Sequence, residues 1–304
     1  MANRRLITLL AFATVYLVWG SSYLAIRVGV QDLPPALFAG VRFIIAGLLL
    51  GTYARLSGQA FPVTRKEWKT IIVVGLLLMA GGNGLVVWGE QWVPSGLTAL
   101  IVASVALWIA YFGTLGPHGE ALTARSIGGL ILGFSGVTVL LAPSGAAFSY
   151  AQLWGEVAVA VGAMLWAAGT IYARRRKPRT PALMSAAMQM FSGGVLLCAL
   201  GLLGGEASRW VWTSNGVWSL AYLTVFASCL AYSAYVWLMH AVTPAQLGTY
   251  AYVNPAIAVV LGNWLLGESL SRGEIMGMLI ILAGVILVST APRRAKAMPA
   301  DAPP

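Results

Sequence analysis

The sequence predicts an all-α integral membrane protein: ten transmembrane helices in two inverted five-helix repeats around a central cavity. Three observations carry this. The chain of 304 residues is 59% hydrophobic and only 9% charged, where a soluble domain carries about 25% charged residues. Its apolar residues fall into runs near the roughly 20 residues that a helical span requires. The two halves also match one another at a nearly constant offset. The 35 glycines show no three-residue period and suit helices packed closely in lipid. Neither cysteine, Cys198 or Cys229, leaves its apolar run, which excludes a secreted disulfide scaffold.

The spans are expected at 6–26, 36–54, 68–88, 96–115 and 126–142, then at 153–173, 183–203, 218–239, 245–266 and 274–291. Prolines and an Asn-Gly pair punctuate the gaps, among them Pro34-Pro35, Pro94, Pro181, Asn215-Gly216 and Pro244. The first run is span-length and lacks a small-residue cleavage site, so it reads as an uncleaved helix rather than a signal peptide.

Lys and Arg bias then orients the chain. With the N-terminus inside, the inner side holds Arg4, Arg5, Arg55, Arg65, Lys66, Lys69, Arg125, Arg174, Arg175, Arg176, Lys177, Arg179, Arg293, Arg294 and Lys296. The outer side holds Arg27, Arg209 and Arg272, and Arg42 lies within the second span. Fifteen against three places both termini in the cytoplasm of a bacterial-type inner membrane. The net charge of +10 is therefore a topology signal, with attraction to anionic membrane lipid as its by-product, and not a nucleic-acid footprint.

At an offset of 148, Gly119-Glu120-Ala121-Leu122 falls on Gly267-Glu268-Ser269-Leu270, and Gly136-Val137 on Gly284-Val285. At 147, Trp19 falls on Trp166; at 146, Pro35-Ala36-Leu37 falls on Pro181-Ala182-Leu183. This divides the chain into repeats 1–146 and 152–292 with a cytoplasmic tail 293–304. Five spans is an odd number, so the second repeat enters the membrane upside down. That is the architecture of secondary transporters, with the cargo bound between the halves.

The stretch from Tyr16 through Trp19-Gly20-Ser21-Ser22 to Tyr23 resembles the first-helix signature of the drug/metabolite transporter superfamily, EamA branch. Leu33-Pro34-Pro35-Ala36-Leu37 with Arg42-Phe43 resembles its second helix. Asn254-Pro255, Leu266-Gly267-Glu268-Ser269-Leu270 and Gly284-Val285 resemble its ninth and tenth. Within that branch the interior aromatics look most like the YddG-type exporters of aromatic amino acids. The resemblance implies a basket with its cavity formed mainly by spans 1, 3, 4, 6, 8 and 9. Leu107 stands where the repeat would place a second proline, so the fourth helix is expected to be straighter than usual.

Helical spacing selects the faces. Tyr16, Trp19 and Tyr23 form one stripe on span 1; Asn83 sits within the glycines at 81–84 of span 3, which loosen that helix. Ser104, Trp108 and Tyr111 share a face of span 4, as do Trp166 and Thr170 on span 6. Span 8 offers Ser228, Tyr232 and Tyr235; span 9 offers Gln246, Tyr250 and Asn254. From these, Trp19, Asn83, Trp108, Trp166, Tyr232, Tyr250 and Asn254 are the expected lining of a substrate cavity. The aromatics stack on a cargo side chain and the amides orient its charged ends. Trp68, Trp88, Trp92, Trp154, Trp210, Trp212 and Trp218 read as interfacial belt residues.

Spans 3, 4, 8 and 9 hold no basic residue in their middles, which disfavours phosphorylated cargo. Span 1 has no acid, which disfavours the multidrug cation exporters of the same superfamily, the alternative transporter reading. Glu156 lies near the outer surface, and Arg42 reads slightly better as structural than as functional. With no carboxylate expected at mid-membrane, facilitated diffusion is favoured over proton antiport. The cargo is then a small neutral or zwitterionic metabolite such as an amino acid, moved by a monomer or weak dimer that needs no cofactor, no metal and no nucleic acid.

An intramembrane serine protease is the reading of another class. Gly133-Phe134-Ser135-Gly136 matches the short pattern of such enzymes, but His118 and His240 fall at helix ends, too far from a mid-membrane serine to serve as its base.

Overall fold

The computed structural model describes residues 2–115, 120–121, 123–140, 149–176, 179–242, 250–291 and 294–295. Apart from a two-residue antiparallel pairing of Glu120–Ala121 with Arg294–Ala295, the long elements are helical. They are α1 (Ala2–Gly29), α2 (Pro35–Leu56), α3 (Arg65–Gly89), α4 (Ser95–Gly113), α5 (Ala124–Leu140), α6 (Tyr150–Arg176), α7 (Ala182–Leu203), α8 (Ser214–Tyr222, continuing to Ala241), α9 (Tyr250–Leu266) and α10 (Arg272–Ser289). Seven of these are long and apolar enough to cross a membrane, and α5, α9 and α10 contribute shorter apolar stretches. Large apolar side chains such as Leu9, Leu17, Leu48, Leu202 and Trp264 are exposed, which in this composition marks a lipid-facing surface.

Local chemistry sets the helix ends, and it recurs in both halves. Pro34 and Pro181, 147 apart, are the N-cap residues of α2 and α7, where a missing backbone donor costs nothing. Gly58 and Gly205, again 147 apart, follow those two helices at φ +80° and +70°, the left-handed geometry that lets a helix stop. Thr64 and Thr213 cap α3 and α8, accepting hydrogen bonds from the backbone of Glu67 and Gly216. The sharpest correspondence is a widened π segment within each of those helices. It begins at Leu76 in α3 and at Leu223 in α8. In the first half it ends at Asn83, within the glycine cluster that the sequence marks as loose.

Two seams join the halves. A Cβ added to Gly47 of α2 would stand 2.8 Å from the Ala187 carbonyl oxygen of α7, and one added to its mate Gly194 would stand 2.8 Å from that of Gly40. Gly129 and Gly284 bring α5 and α10 into the same backbone contact. Carboxylates also cross between halves to helix N-termini, where free amides and the helix dipole favour anions. Glu206 accepts from Leu37 N–H at 2.8 Å, and Glu268 from Ser95 N–H at 2.9 Å and Gly96 N–H at 3.2 Å. Gln59, at the position 147 before Glu206, accepts in turn from Met184 N–H of α7 at 3.2 Å.

The α4 helix departs from expectation. It is interrupted at Ser104, whose N–H bonds Ile101 O three residues back, and it resumes at Val105. Leu107, where a proline was absent, is fully buried in the second stretch and fills the space over Gly133 of α5.

Candidate functional site

A cavity inside the bundle is lined from α1, α2, α3, α4, α6, α7, α8 and α9. Of the sequence candidates it brings together Trp19, Asn83, Trp166, Tyr232 and Tyr250. The repeat mates Trp19 and Trp166 meet edge to face with ring centroids 5.8 Å apart. Tyr250 stands edge-on to Trp19 at 5.6 Å, and Tyr232 edge-on to Trp166 at 6.4 Å. Tyr235 packs behind this group at 4.9 Å from Trp19 without lining the cavity.

Two hydrogen bonds lock the frame. The Trp19 indole N–H donates to the Ala227 carbonyl within the π segment of α8, at 3.2 Å. The Tyr232 hydroxyl donates to Gln189 Oε1 of α7. Gly82 of α3 and Gly162 and Ala163 of α6 also line the cavity, and a Cβ on Gly162 would stand 2.7 Å from the Gly82 carbonyl oxygen, so the two helices meet backbone to backbone there.

Two candidates lie elsewhere. Trp108 packs against Phe134 at 4.6 Å and stacks on Phe112 at 5.9 Å, outside the lining. From α4 the lining takes Val102 and Val105, on either side of the break at Ser104. Asn254 is 3% exposed, with Oδ1 unpartnered, and is also absent from the lining. Gln246 lies outside the described residues, as do His118 and the His240 side chain. Ser135 donates its hydroxyl to Leu132 O of its own helix, an ordinary role for a helical serine.

The cavity also holds a charged residue, one that reads from the sequence as more structural than functional. Arg42 of α2 lines it at 4% exposure. Its Nε donates to Ser228 Oγ at 3.1 Å and its Nη2 to Asn83 Oδ1 at 3.2 Å, while Nη1 has no hydrogen-bond partner. Phe43 lies 4.3 Å from the guanidinium carbon, within cation–π range. Asn83 and Ser228 sit in or at the ends of the two π segments, so the same deformation in each half delivers one oxygen to the arginine. The guanidinium is thus held by neutral oxygens and keeps one donor nitrogen unpaired.

The residue after the α3 span is a second buried charge that sequence reading passed over. Glu90 is 0% exposed, and neither carboxylate oxygen has a hydrogen-bond partner. Its N–H donates to Val86 O at 3.0 Å and its own carbonyl accepts from the Arg27 guanidinium. Burial pushes the Glu90 carboxyl well above the usual carboxylate range; Glu268 adds to the shift, and Arg27 and Arg42 oppose it. Its position beyond Trp88, in a short loop, hid it from an inventory confined to spans. Among the described residues, no group of three or more His, Cys, Asp or Glu side chains is placed to hold a metal.

The EamA-like transporter family model matches the chain twice, over residues 6–142 and 153–290. The chain is 36% identical over 305 residues to YedA of Escherichia coli (strain K12), an uncharacterized inner membrane transporter, covering all of this chain and 97% of that one. YvbV of Bacillus subtilis (strain 168), an uncharacterized transporter, is 29% identical over 95% of this chain and 94% of its own. A WAT1-related chloroplastic protein of Arabidopsis thaliana is 27% identical over 90% of this chain and 67% of its own. A solved crystal structure shares the fold at a TM-score of 0.66, with 22% identity over 93% of this chain and 96% of the other. The chain belongs to the EamA-like transporter family.

Proposed function

We propose that this EamA-family membrane transporter exports small zwitterionic metabolites, foremost amino acids with aromatic or hydrophobic side chains, across the inner membrane by alternating access. The observation that carries the reading is Arg42. It lines the same cavity as Trp19, Trp166 and Tyr250, and its buried Nη1 has no hydrogen-bond partner. The guanidinium takes the carboxylate of the cargo, and the aromatic group takes its side chain, each ring pair contributing about 0.5–1.5 kcal/mol beyond burial. A buried guanidinium repels a quaternary cation, which disfavours the multidrug alternative.

The repeats 1–146 and 152–292 rock about this site, with the π segments of α3 and α8 as the points that yield. Both termini lie in the cytoplasm. The protein works as a monomer or weak dimer surrounded by lipid, without cofactor or nucleic acid.

Counterflow into proteoliposomes tests the cargo class. Labelled L-phenylalanine is expected to exchange, phenylalaninamide to compete poorly, and Arg42→Gln to weaken apparent affinity about 10- to 150-fold. That range corresponds to a charged hydrogen bond worth about 1.5–3 kcal/mol. Equal competition by the amide, or wild-type affinity in Arg42→Gln, would overturn the assignment.

A further inference from the structure

We infer that the Glu90 carboxyl group is a proton-binding site linked to the cargo, so that a proton and a carboxylate held on Arg42 enter the protein together. The inference rests on the carboxylate reading of the cavity.

Glu90 sits one helical turn beyond Val86 and close to Tyr23, both of which line the cavity. The groups facing it can be named from each packed element. Helix α1 supplies Tyr23 and Arg27, and α2 supplies Arg42. Glu268, which accepts from Ser95 at the start of α4, contributes a second carboxylate. From α6, Gly155 packs on Gly89, with Glu156 beside it, bonded to Gln152 at 2.9 Å.

An ionised carboxylate without exposure and without a hydrogen-bond donor is costly. Two events relieve that cost: protonation, or the attraction of an arginine. Arg27 is bound to the Glu90 carbonyl and acts on the carboxyl more strongly; Arg42 acts on it as well and keeps an unpaired donor nitrogen. It cannot, however, neutralise Glu90 and a cargo carboxylate at once.

The local charges make this explicit. Arg27 and Arg42 favour an ionised Glu90, and Glu268 opposes it. A carboxylate drawn to Arg42 takes up part of that support and adds a negative charge beside Glu90 in a low-dielectric interior. A proton on a Glu90 oxygen, forming the neutral acid with no other bond changed, offsets it. By linkage the effect is reciprocal: acidification tightens carboxylate binding, and carboxylate binding draws a proton in.

The test uses the full-length protein in nanodiscs and, as probe, 3-phenylpropanoate, which carries a ring and a carboxylate but no ammonium group. The wild type is expected to bind it at least about tenfold more weakly at about pH 9 than at about pH 6, the effect of one nearby charge. Glu90→Gln should hold the acid-side affinity across the range and abolish proton uptake on binding. Equal pH slopes in the two proteins would overturn the linkage.

A cargo-free measurement separates this from the carboxylate reading. Infrared difference spectra on acidification should show a protonated-carboxyl band in the wild type that is missing in Glu90→Gln; identical spectra would overturn the proton site. If the band behaves as expected but no carboxylate binds at any pH, the cargo assignment has failed instead, and the linkage with it. Glu90→Asp, which retains a titrating group, should keep the slope and shift the band in frequency; if Glu90→Gln does not yield a monodisperse sample, a band unshifted in Glu90→Asp would overturn the proton site.

Discussion

Replacing Trp19 separates what the aromatic frame contributes to folding from what it contributes to cargo. The indole ring touches Trp166, Tyr235 and Tyr250 at centroid distances of 5.8, 4.9 and 5.6 Å, and its N–H reaches the Ala227 carbonyl at 3.2 Å. Trp19→Phe keeps a ring in the cluster and loses the hydrogen bond, which is worth about 0.5–1.5 kcal/mol. Trp19→Ala also loses three ring contacts and leaves a void, for a total of about 3–5 kcal/mol in a packed interior. Part of that void opens into the cavity, where collapse or lipid entry lessens the cost. For cargo, one lost stacking partner at about 0.5–1.5 kcal/mol corresponds to about two- to thirteenfold in affinity. Thermal unfolding in detergent and the concentration dependence of counterflow read the two quantities from one preparation. Trp19→Phe should lower the midpoint modestly and leave affinity within about threefold. Trp19→Ala should fall on both axes. Wild-type affinity in a folded Trp19→Ala protein would refute a cargo-facing role for the cluster.

Gly47→Ala and Gly194→Ala should each destabilise the protein by about 1–3 kcal/mol, because the added methyl meets backbone rather than a side chain that can turn aside. Gly113→Ala, with nothing within 4 Å of the new carbon, should be neutral or slightly stabilising in the same unfolding assay. Glu268→Ala removes the acceptor for two backbone amides and the Ser95 hydroxyl and should cost about 1–2 kcal/mol, with Glu268→Gln recovering part of it. Topology reporters placed after Ser57 and Trp212 should report cytoplasm and exterior respectively; the same side for both would contradict the inverted arrangement.

Helices and repeats were legible because their signals are local or periodic. Pro34 and Pro181 announce helix starts from the sequence alone, and the glycines at 81–84 mark the end of the α3 π segment. Its mate in α8 has no such cluster, since Leu223–Ala231 holds no glycine, so only the repeat offset points to it. Trp108 stands outside the lining and against Phe112 and Phe134, because helical period groups residues on a face without saying what that face packs against. Asn254 is buried outside the lining: a costly buried amide must find an environment, but periodicity does not say whether that environment is a cavity. Arg42 was seen and undervalued, because its two oxygen partners come from helices 41 and 186 residues away. Glu90 was passed over because hydropathy assigns a residue past the end of a span to the interface, while its burial is created by segments distant in the chain.

The carboxylate caps that cross between halves also bear on the order in which the protein is made. The N-termini of α2 and α4 emerge with amides whose acceptors, Glu206 and Glu268, are encoded 169 and 173 residues later. At about 5–20 residues per second of synthesis, those amides wait roughly ten to thirty seconds for their partners. Met184 of α7, by contrast, finds Gln59 already made. The first half is thus inserted incomplete and the second half finishes it on arrival. A gene split between the repeats should therefore yield a first fragment that is degraded when expressed alone and protected when its partner is present.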